Sequence, residues 1–366
     1  MKKEGNKINS QYSDFRKLDA IAVNIISVYP KVQQILTDKI PAPEVAEFFI
    51  TNYCSFACPH CRCAQTHENK SSFINLKLYE KTLDDLLALG CMKIEFGGGG
   101  EPLEHPDITK IFRLLHDRNM RCGIITNGYA LINNRSLMDE ILSVADWMRI
   151  SLDAVSDKSY QIIHGRKDLY YSKLKEEIKI FVTKAAENNS DFTRTRLGLK
   201  LIIQQHNKHE LSQSIDEALE IGADYLQFKW LENHPFAIPK EERGTIDNLI
   251  YSLKDKIQNR MSVDFLAGYG GEIHNNANEP CLLSILHPLI DWDGKMYICA
   301  FFHHRKDSHL LGDLSVNSFK EVWNSPEHRI RIDQVNRQQC VPNCPLKRYN
   351  PIVEFIKQEA YRFHYI

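Results

Sequence analysis

The chain has no excess of charge of either sign. Lysine and arginine number 46 and aspartate and glutamate 47, a formal net charge of −1 over 366 residues. A surface without basic excess gives no general attraction to phosphate backbones or anionic lipid, so neither nucleic acid nor a membrane surface is expected as a partner. Long apolar runs are missing as well: no stretch approaches the roughly eighteen apolar residues of a membrane span. The start, Met1-Lys-Lys-Glu-Gly-Asn-Lys7, has charge but no apolar run behind it, so no secretory signal is expected. Internal repeats and low-complexity tracts are absent. What these absences leave is a soluble, cytoplasmic protein. It is 43% hydrophobic and long enough for more than one core.

Cysteine, in contrast, is plentiful. Ten cysteines in a chain without a secretory signal point to metal or redox chemistry rather than to a disulfide framework. Cys54, Cys58 and Cys61 are spaced C-x3-C-x2-C. That spacing suits three ligands on one loop wrapped around a single inorganic group, as thiolates hold iron–sulfur clusters. Three thiolates on a four-iron cluster leave one iron open. Structural zinc is the competing reading. It favours two ligand pairs in a short span, and only His60 and Cys63 stand near, too close to their neighbours to close a tetrahedron easily.

Before the triplet, Phe15, Leu18, Ile21, Val23, Ile26 and Val28 recur at near-helical intervals, and Pro30, Pro41 and Pro43 are expected to close this extension of residues 1–43. It reads as a packing or capping element. From residue 44 strands and helices alternate. Strands are expected at 47–51, 92–96, 122–126, 147–152, 197–203 and 225–229, and helices at 76–89, 106–118, 136–145, 172–188 and 208–221. Six such units predict a parallel sheet with helices outside, curled by right-handed crossovers into a partial (β/α)6 TIM-like barrel over residues 44–269. In barrels of this kind the chemistry sits where strands end and βα loops begin. The cysteine loop follows strand one, and the run Gly97–Gly100 with Glu101 and Pro102 follows strand two. Asn127 and Gly128 follow strand three, and Ser151 to Asp153 end strand four. Every unusual cluster falls at one end of the sheet.

A charged, exposed helix is expected over 240–260, and after Gly271 the alternation stops. Cys281, Cys299, Cys340 and Cys344 come with a hairpin from Leu289 to Ile298, whose Asp293-Gly294 pair predicts a two-residue type I′ turn. Gly312-Asp313-Leu314 and a short helix with Val322 and Trp323 follow. A small β-hairpin/helix domain over 270–348 and a C-terminal helix over 349–366 complete the expected α/β layout.

The glycine run lacks the G-x-G-x-x-G order of a dinucleotide site. Beside Glu101 it offers open backbone next to a carboxylate, a pocket suited to an ammonium group. The cysteine triplet after strand one and Gly99-Gly100-Glu101-Pro102 after strand two resemble the radical S-adenosylmethionine (SAM) superfamily over about residues 44–235. The second cysteine set, with Asp293-Gly294, Gly312-Asp313-Leu314 and Trp323, resembles the twitch/SPASM extension of one branch.

The resemblance implies that Cys54, Cys58 and Cys61 hold a [4Fe–4S] cluster whose open iron chelates SAM. An electron, delivered by a donor such as flavodoxin or ferredoxin, would then cleave SAM to methionine and a 5′-deoxyadenosyl radical that removes a substrate hydrogen. It implies that Gly99, Gly100 and Glu101 hold the SAM amino group and that Ser151 and Asp153 fall where ribose is contacted. Asn127 would wall the same pocket, His60 would lie beside the adenine, and Lys200 would meet the methionine carboxylate. Cys281, Cys299, Cys340 and Cys344 would ligate a second, auxiliary [4Fe–4S] cluster. Four thiolates fill one cluster, so twitch describes this part better than a full SPASM domain; chemistry alone leaves a four-thiolate zinc site open. Of the remaining cysteines, Cys91 and Cys122 read as core. Cys63 lies at the active end, either as a hydrogen-atom donor to a substrate radical or as packing beside the cluster. Gln227, Lys229 and Glu232 on strand six, and His303, His304 and Arg305 after Cys299, are further candidates for substrate contact.

The expected reaction is oxidation, epimerisation or elimination on a small polar metabolite: a sugar, nucleotide sugar or aminocyclitol. The alternative is a maturase that crosslinks, epimerises or oxidises a ribosomal peptide. Such maturases often carry a leader-recognition module longer than the 43-residue extension, which favours the small substrate. Molybdenum-cofactor cyclases share the architecture but end in Gly-Gly, unlike Tyr365-Ile366. A non-enzymatic iron–sulfur sensor would have no use for Gly-Gly-Glu-Pro.

Overall fold

The computed structural model describes residues 27–63, 72–188, 194–253, 257, 260–265, 281–300, 306–335 and 350–359. Helix α1 (Tyr29–Leu36) carries Pro30 in its first turn, where no backbone N–H is needed and the fixed φ is already helical. The residue expected to end a helix therefore starts one. The apolar positions from Phe15 to Ile26 lie outside the described residues.

Strand β1 (Ala46–Phe48) runs into the cysteine loop; Thr51, expected within it, makes only an isolated bridge to Phe73. Helix α2 (Leu76–Leu89) covers the range its apolar spacing predicts. Asn75 caps it by accepting from the N–H groups of Lys77 and Leu78 at 3.0 and 3.1 Å, and Gly90 ends it at φ +87°. The alternation continues through β2 (Lys93–Phe96), α3 (Ile108–His116), β3 (Arg121–Thr126), α4 (Tyr129–Asn133), α5 (Ser136–Val144) and β4 (Ala145–Ser151). It then runs through α6 (Asp157–His164), α7 (Tyr171–Asn188), β5 (Arg196–Ile203), α8 (Leu211–Ile221), β6 (Tyr225–Trp230) and α9 (Lys240–Ser252) to β7 (Ser262–Phe265). Strands β1 to β7 pair in chain order and all run parallel. The expected half-barrel thus gains a seventh strand. At four residues, β7 is too short for its alternation to stand out in the sequence.

One parity of each strand faces the helices. Phe48, Phe96, Ile124, Met148, Leu199 and Phe228 are fully buried there; Phe48 meets Tyr79 edge-on at 5.1 Å and Phe96 meets Phe112 at 5.9 Å. Each such side chain contributes about 1.5–3 kcal/mol on leaving water, so this parity holds the sheet together. The other parity carries Glu47, Glu95, Arg149, Ser151, Lys200 and Gln227, which makes the helix-free face polar. Two glycines on it make room for rings: a Cβ on Gly123 would stand 2.1 Å from the Trp147 ring, and one on Gly198 2.0 Å from Tyr225.

Strand β8 (Leu289–Ile290) adds to the free edge of β1 in parallel. Antiparallel β9 (Lys295–Tyr297) follows, then helix α10 (Lys306–His309) and antiparallel β10 (Leu310–Asp313), for one ten-stranded sheet. The β8–β9 connection corrects the expected type I′ turn, which needs positive φ at both central residues. Gly294 is left-handed at φ +83° and Asp293 is not; Gly294 N–H reaches Asp291 O at 2.9 Å, and Asp291 N–H reaches Lys295 O at 2.9 Å. This is a three-residue loop with its glycine in the left-handed position. Helices α11 (Phe319–Trp323), α12 (Pro326–Asp333) and α13 (Asn350–Glu359) close the described structure. A Ser318–Glu321 capping box starts α11, and its buried Trp323 donates Nε1–H to Pro41 O at 3.0 Å. Among the described residues no helix is long and apolar enough to cross a membrane.

Candidate active site

The cysteine loop leaves the C-terminal end of β1 and turns back where Cys61 N–H bonds Cys58 O at 3.0 Å; Phe56 N–H bonds Cys54 Sγ at 3.4 Å. Phe56 anchors it, buried against Tyr129 at 5.7 Å and His164 at 5.0 Å. Burial pushes the Cys54 thiol up to about 12, reinforced by Glu101, and pushes Cys58 higher still, reinforced by Cys61. Without metal these are neutral thiols that repel one another as thiolates. A cationic centre that replaces their protons removes that penalty, so the donor set fits a metal cluster.

The second loop passes the first at Gly100, where a Cβ would stand 2.1 Å from Tyr53 O; only glycine allows that approach. Gly99, at φ +95°, directs its N–H to Cys63 Sγ at 3.3 Å. Glu101 is buried. Its Oε1 accepts from the Thr126 hydroxyl at 2.5 Å and Leu103 N–H at 3.1 Å, and its Oε2 from Asn127 N–H at 2.7 Å. Burial nevertheless raises its carboxyl to about 7, against the pull of Thr126 and Asn127. Near neutral pH it is balanced between acid and anion, and an adjacent cation would tip it to the anion. Asn127 Oδ1 accepts from Tyr129 N–H at 2.8 Å, which turns Nδ2 toward Cys54 Sγ at 3.8 Å.

Ser151 and Lys200 are register partners on the polar face. Burial lowers the Lys200 pKa, with Asp153 pulling the other way. Asp153 is buried with left-handed backbone at φ +58°; its Oδ1 accepts from Ile202 N–H at 2.6 Å, and its Oδ2 lies 3.7 Å from His60 Nε2. Burial would raise this carboxyl, but His60 and Lys200 outweigh it and hold it below its usual range. Cys63 packs against Gly98 and Gly99 and hydrogen-bonds Cys61, and Cys91 and Cys122 are buried in the core. Gln227 accepts from Arg149 Nη1 at 3.0 Å, whereas Glu232 is held by both Nη atoms of Arg243 on α9, at 2.6 and 2.9 Å. Cys281 is buried at the head of a 3-10 turn (Leu282–Leu286), and Cys299 is half-buried after β9. Cys340, Cys344, His303, His304 and Arg305 lie outside the described residues.

His164, at the end of α6, was not singled out from the sequence. Its Nδ1 stands 3.2 Å from Cys58 Sγ and its Nε2 3.2 Å from Leu152 O. Burial lowers its pKa to about 4, leaving a neutral imidazole. No periodic signal links residues 106 positions apart. Arg149 was readable in principle, because it shares parity with Trp147 and Ser151.

Half-buried thiols, a glycine-walled carboxylate and a half-buried lysine gather at the C-terminal end of the parallel sheet, a donor set suited to a metal-dependent enzyme. A family model described as the radical SAM superfamily matches residues 48–200, and one described as an iron-sulfur cluster-binding domain, SPASM, matches residues 281–345. Among curated proteins, a PqqA peptide cyclase of Ruegeria pomeroyi is 26% identical over 199 residues, covering 54% of this chain and 50% of the cyclase. The antilisterial bacteriocin subtilosin biosynthesis protein AlbA of Bacillus subtilis is 22% identical over 333 residues, 86% of this chain and 67% of AlbA. An S-adenosylmethionine-dependent nucleotide dehydratase of Selenomonas ruminantium is 27% identical over 177 residues, 47% of this chain and 61% of that protein. The chain therefore spans about half to two thirds of these relatives. Among solved structures, Streptococcus suis SuiB shares the fold with a TM-score of 0.62 at 14% identity, over 94% of this chain and 77% of SuiB. The chain belongs to the radical SAM superfamily and is an enzyme with a SAM-binding [4Fe–4S] cluster, SAM as cofactor and further iron–sulfur content in its SPASM region.

Proposed function

We propose that this enzyme modifies a peptide, by crosslinking, oxidation or epimerisation. The observation that carries this reading is the set of curated relatives: PqqA peptide cyclases recur among them, and the alignment to AlbA runs through 86% of the chain, into the SPASM region. A solved relative of the same fold, SuiB, was crystallised with its precursor peptide SuiA. Peptide modification is thus better supported than the small polar metabolite expected from the short N-terminal extension. The smaller substrate keeps one support, the nucleotide dehydratase, whose match covers 47% of this chain.

In this reading Cys54, Cys58 and Cys61 hold the SAM-binding cluster, which supplies the electron that cleaves SAM. Glu101, as the anion, would hold the SAM ammonium, with the Gly99–Gly100 backbone and Asn127 as walls of that pocket. Lys200, the register partner of Ser151, would meet the SAM carboxylate. Asp153 acts by holding His60 and the end of β5 rather than by reaching into the pocket, since one of its oxygens is already occupied by Ile202 N–H. Cys63, hydrogen-bonded to Gly99 and Cys61, packs beside the cluster loop. Cys281 and Cys299, with Cys340 and Cys344, hold an auxiliary cluster. A flavodoxin or ferredoxin delivers the electron.

The test is anaerobic turnover of the iron-loaded protein with SAM, a reductant and a candidate precursor peptide read from the neighbouring genes. The expected result is 5′-deoxyadenosine together with a peptide that has lost two hydrogens, or has gained one deuterium from heavy water. Turnover of a nucleotide or sugar with the peptide untouched would overturn the proposal.

A further inference from the structure

We infer that Asn350 is a positioning residue for the auxiliary cluster, donating a fixed N–H···S hydrogen bond to Cys281; the inference rests on Cys281 being a ligand of that cluster. Asn350 is the first residue of α13 and lies beyond the matched SPASM residues 281–345, so nothing in the cysteine pattern points to it. Its side chain is buried, at 1% exposure. Oδ1 accepts from Leu283 N–H at 3.3 Å and Nδ2 approaches Cys281 Sγ at 3.2 Å.

The direction of the amide is not arbitrary. A backbone N–H can only donate, so the oxygen must face Leu283 and the NH2 must face the sulfur. The amide does not titrate, so the donor is present in every redox state. It also bridges two points of one turn, Cys281 and Leu283, and so sets the sulfur relative to the 3-10 turn that follows it. At the other metal site Asn127 repeats the device, with Oδ1 on Tyr129 N–H at 2.8 Å and Nδ2 toward Cys54 Sγ at 3.8 Å. The bond is shorter at Cys281.

Hydrogen bonds to ligand sulfur stabilise the more negative, reduced state of an iron–sulfur cluster and raise its reduction potential. Removing Nδ2–H should therefore lower the midpoint of the auxiliary cluster and leave the SAM-site cluster unmoved. Two variants separate the sulfur contact from packing. Asn350→Asp keeps an oxygen for Leu283 N–H but loses the donor to sulfur, and Asn350→Leu loses both at similar volume. Reductive titrations followed by electron paramagnetic resonance, at pH 8 on protein of full iron content, read each cluster by its own signal. The expected result is a more negative auxiliary midpoint in both variants and an unchanged midpoint at the SAM site. The deciding variant is Asn350→Leu, because the Asn350→Asp change adds a negative charge that lowers the midpoint by itself. An Asn350→Leu midpoint equal to that of the unmodified protein would overturn the inference. If either variant fails to load iron, the unmodified protein carries the test. There, 15N-labelled asparagine should change the nitrogen modulation of the auxiliary signal, and an unchanged pattern overturns the inference. Zinc instead of iron at Cys281 in the unmodified protein would overturn both this inference and the ligand assignment beneath it, whereas an intact auxiliary signal with unmoved midpoints overturns this inference alone.

Discussion

His164 Nδ1 lies 3.2 Å from Cys58 Sγ, so the last residue of α6 closes over the cysteine loop from a helix 106 residues further on. The ring also packs against Tyr160 at 4.3 Å and Phe56 at 5.0 Å, and its Nε2 reaches Leu152 O. Packing and polar contacts can be separated here. His164→Ala should destabilise the metal-free protein by about 3 kcal/mol through the cavity left among those rings. His164→Phe refills the cavity and should cost about 1–2 kcal/mol for the unsatisfied Leu152 carbonyl. Urea denaturation of both variants checks this; equal losses would place the whole effect in the polar contacts.

Glu101 gives a pH signature. Its carboxyl, raised from 4.5 to about 7 by burial, must be ionised to hold an ammonium. SAM binding to the iron-loaded protein should therefore weaken about tenfold per pH unit below 7, and Glu101→Gln should bind weakly at every pH. The same shift has the opposite sign for folding. The fold favours the proton, so this stabilisation is complete below pH 4.5 and is lost as pH rises to about 7, a change of about 3 kcal/mol. Calorimetric titration with SAM at pH 6, 7 and 8 tests the first claim, and urea melts of the metal-free protein over pH 4.5 to 7.5 test the second.

Two glycines should respond in opposite ways to the same change. Gly100→Ala would place a methyl 2.1 Å from Tyr53 O and 2.6 Å from Tyr53 N, where backbone must give way. It should cost more than about 2 kcal/mol and abolish SAM binding. Gly244→Ala, inside α9 with nothing within 4 Å, should stabilise by about 0.5–1 kcal/mol and leave SAM binding intact. Thermal melts and a SAM-binding assay on the pair read both.

Iron content separates the two cysteine sets. Replacing Cys54, Cys58 and Cys61 together by Ala should remove about four irons per chain and all 5′-deoxyadenosine formation. Replacing Cys281 and Cys299 should also lower iron but leave some SAM cleavage while impairing product. Iron assays and chromatography of the nucleoside decide it; full SAM cleavage without the first three thiols would defeat their assignment.

Much of this was legible because it is local. The C-x3-C-x2-C spacing, the Asn75 to Gly90 bounds of α2 and the alternation of β4 to β6 are set by neighbours a few residues apart. Arg149 lay within the same alternation and needed only its parity. His164 and Asn350 were illegible, since each acts on a cysteine far along the chain through a contact that only the packed fold creates. The Asp293-Gly294 turn failed for a subtler reason: the dipeptide fits two loop lengths, and the backbone bond from Gly294 to Asp291 selects the longer. The preference for a small substrate rested on the length of the N-terminal extension, a feature with no bearing on the shape of the pocket, and the curated relatives favour the peptide alternative instead.

The addition of β8 to β1 has a mechanical meaning. Glu47 N–H bonds Pro288 O and Phe49 N–H bonds Ile290 O, each at 2.9 Å, so the strand that feeds the cysteine triplet is stitched to the strand that follows Cys281. Closing or opening around a substrate cannot change the span between those two points without breaking sheet hydrogen bonds. A frame of this kind acts as a fixed gauge between the two cysteine-bearing loops.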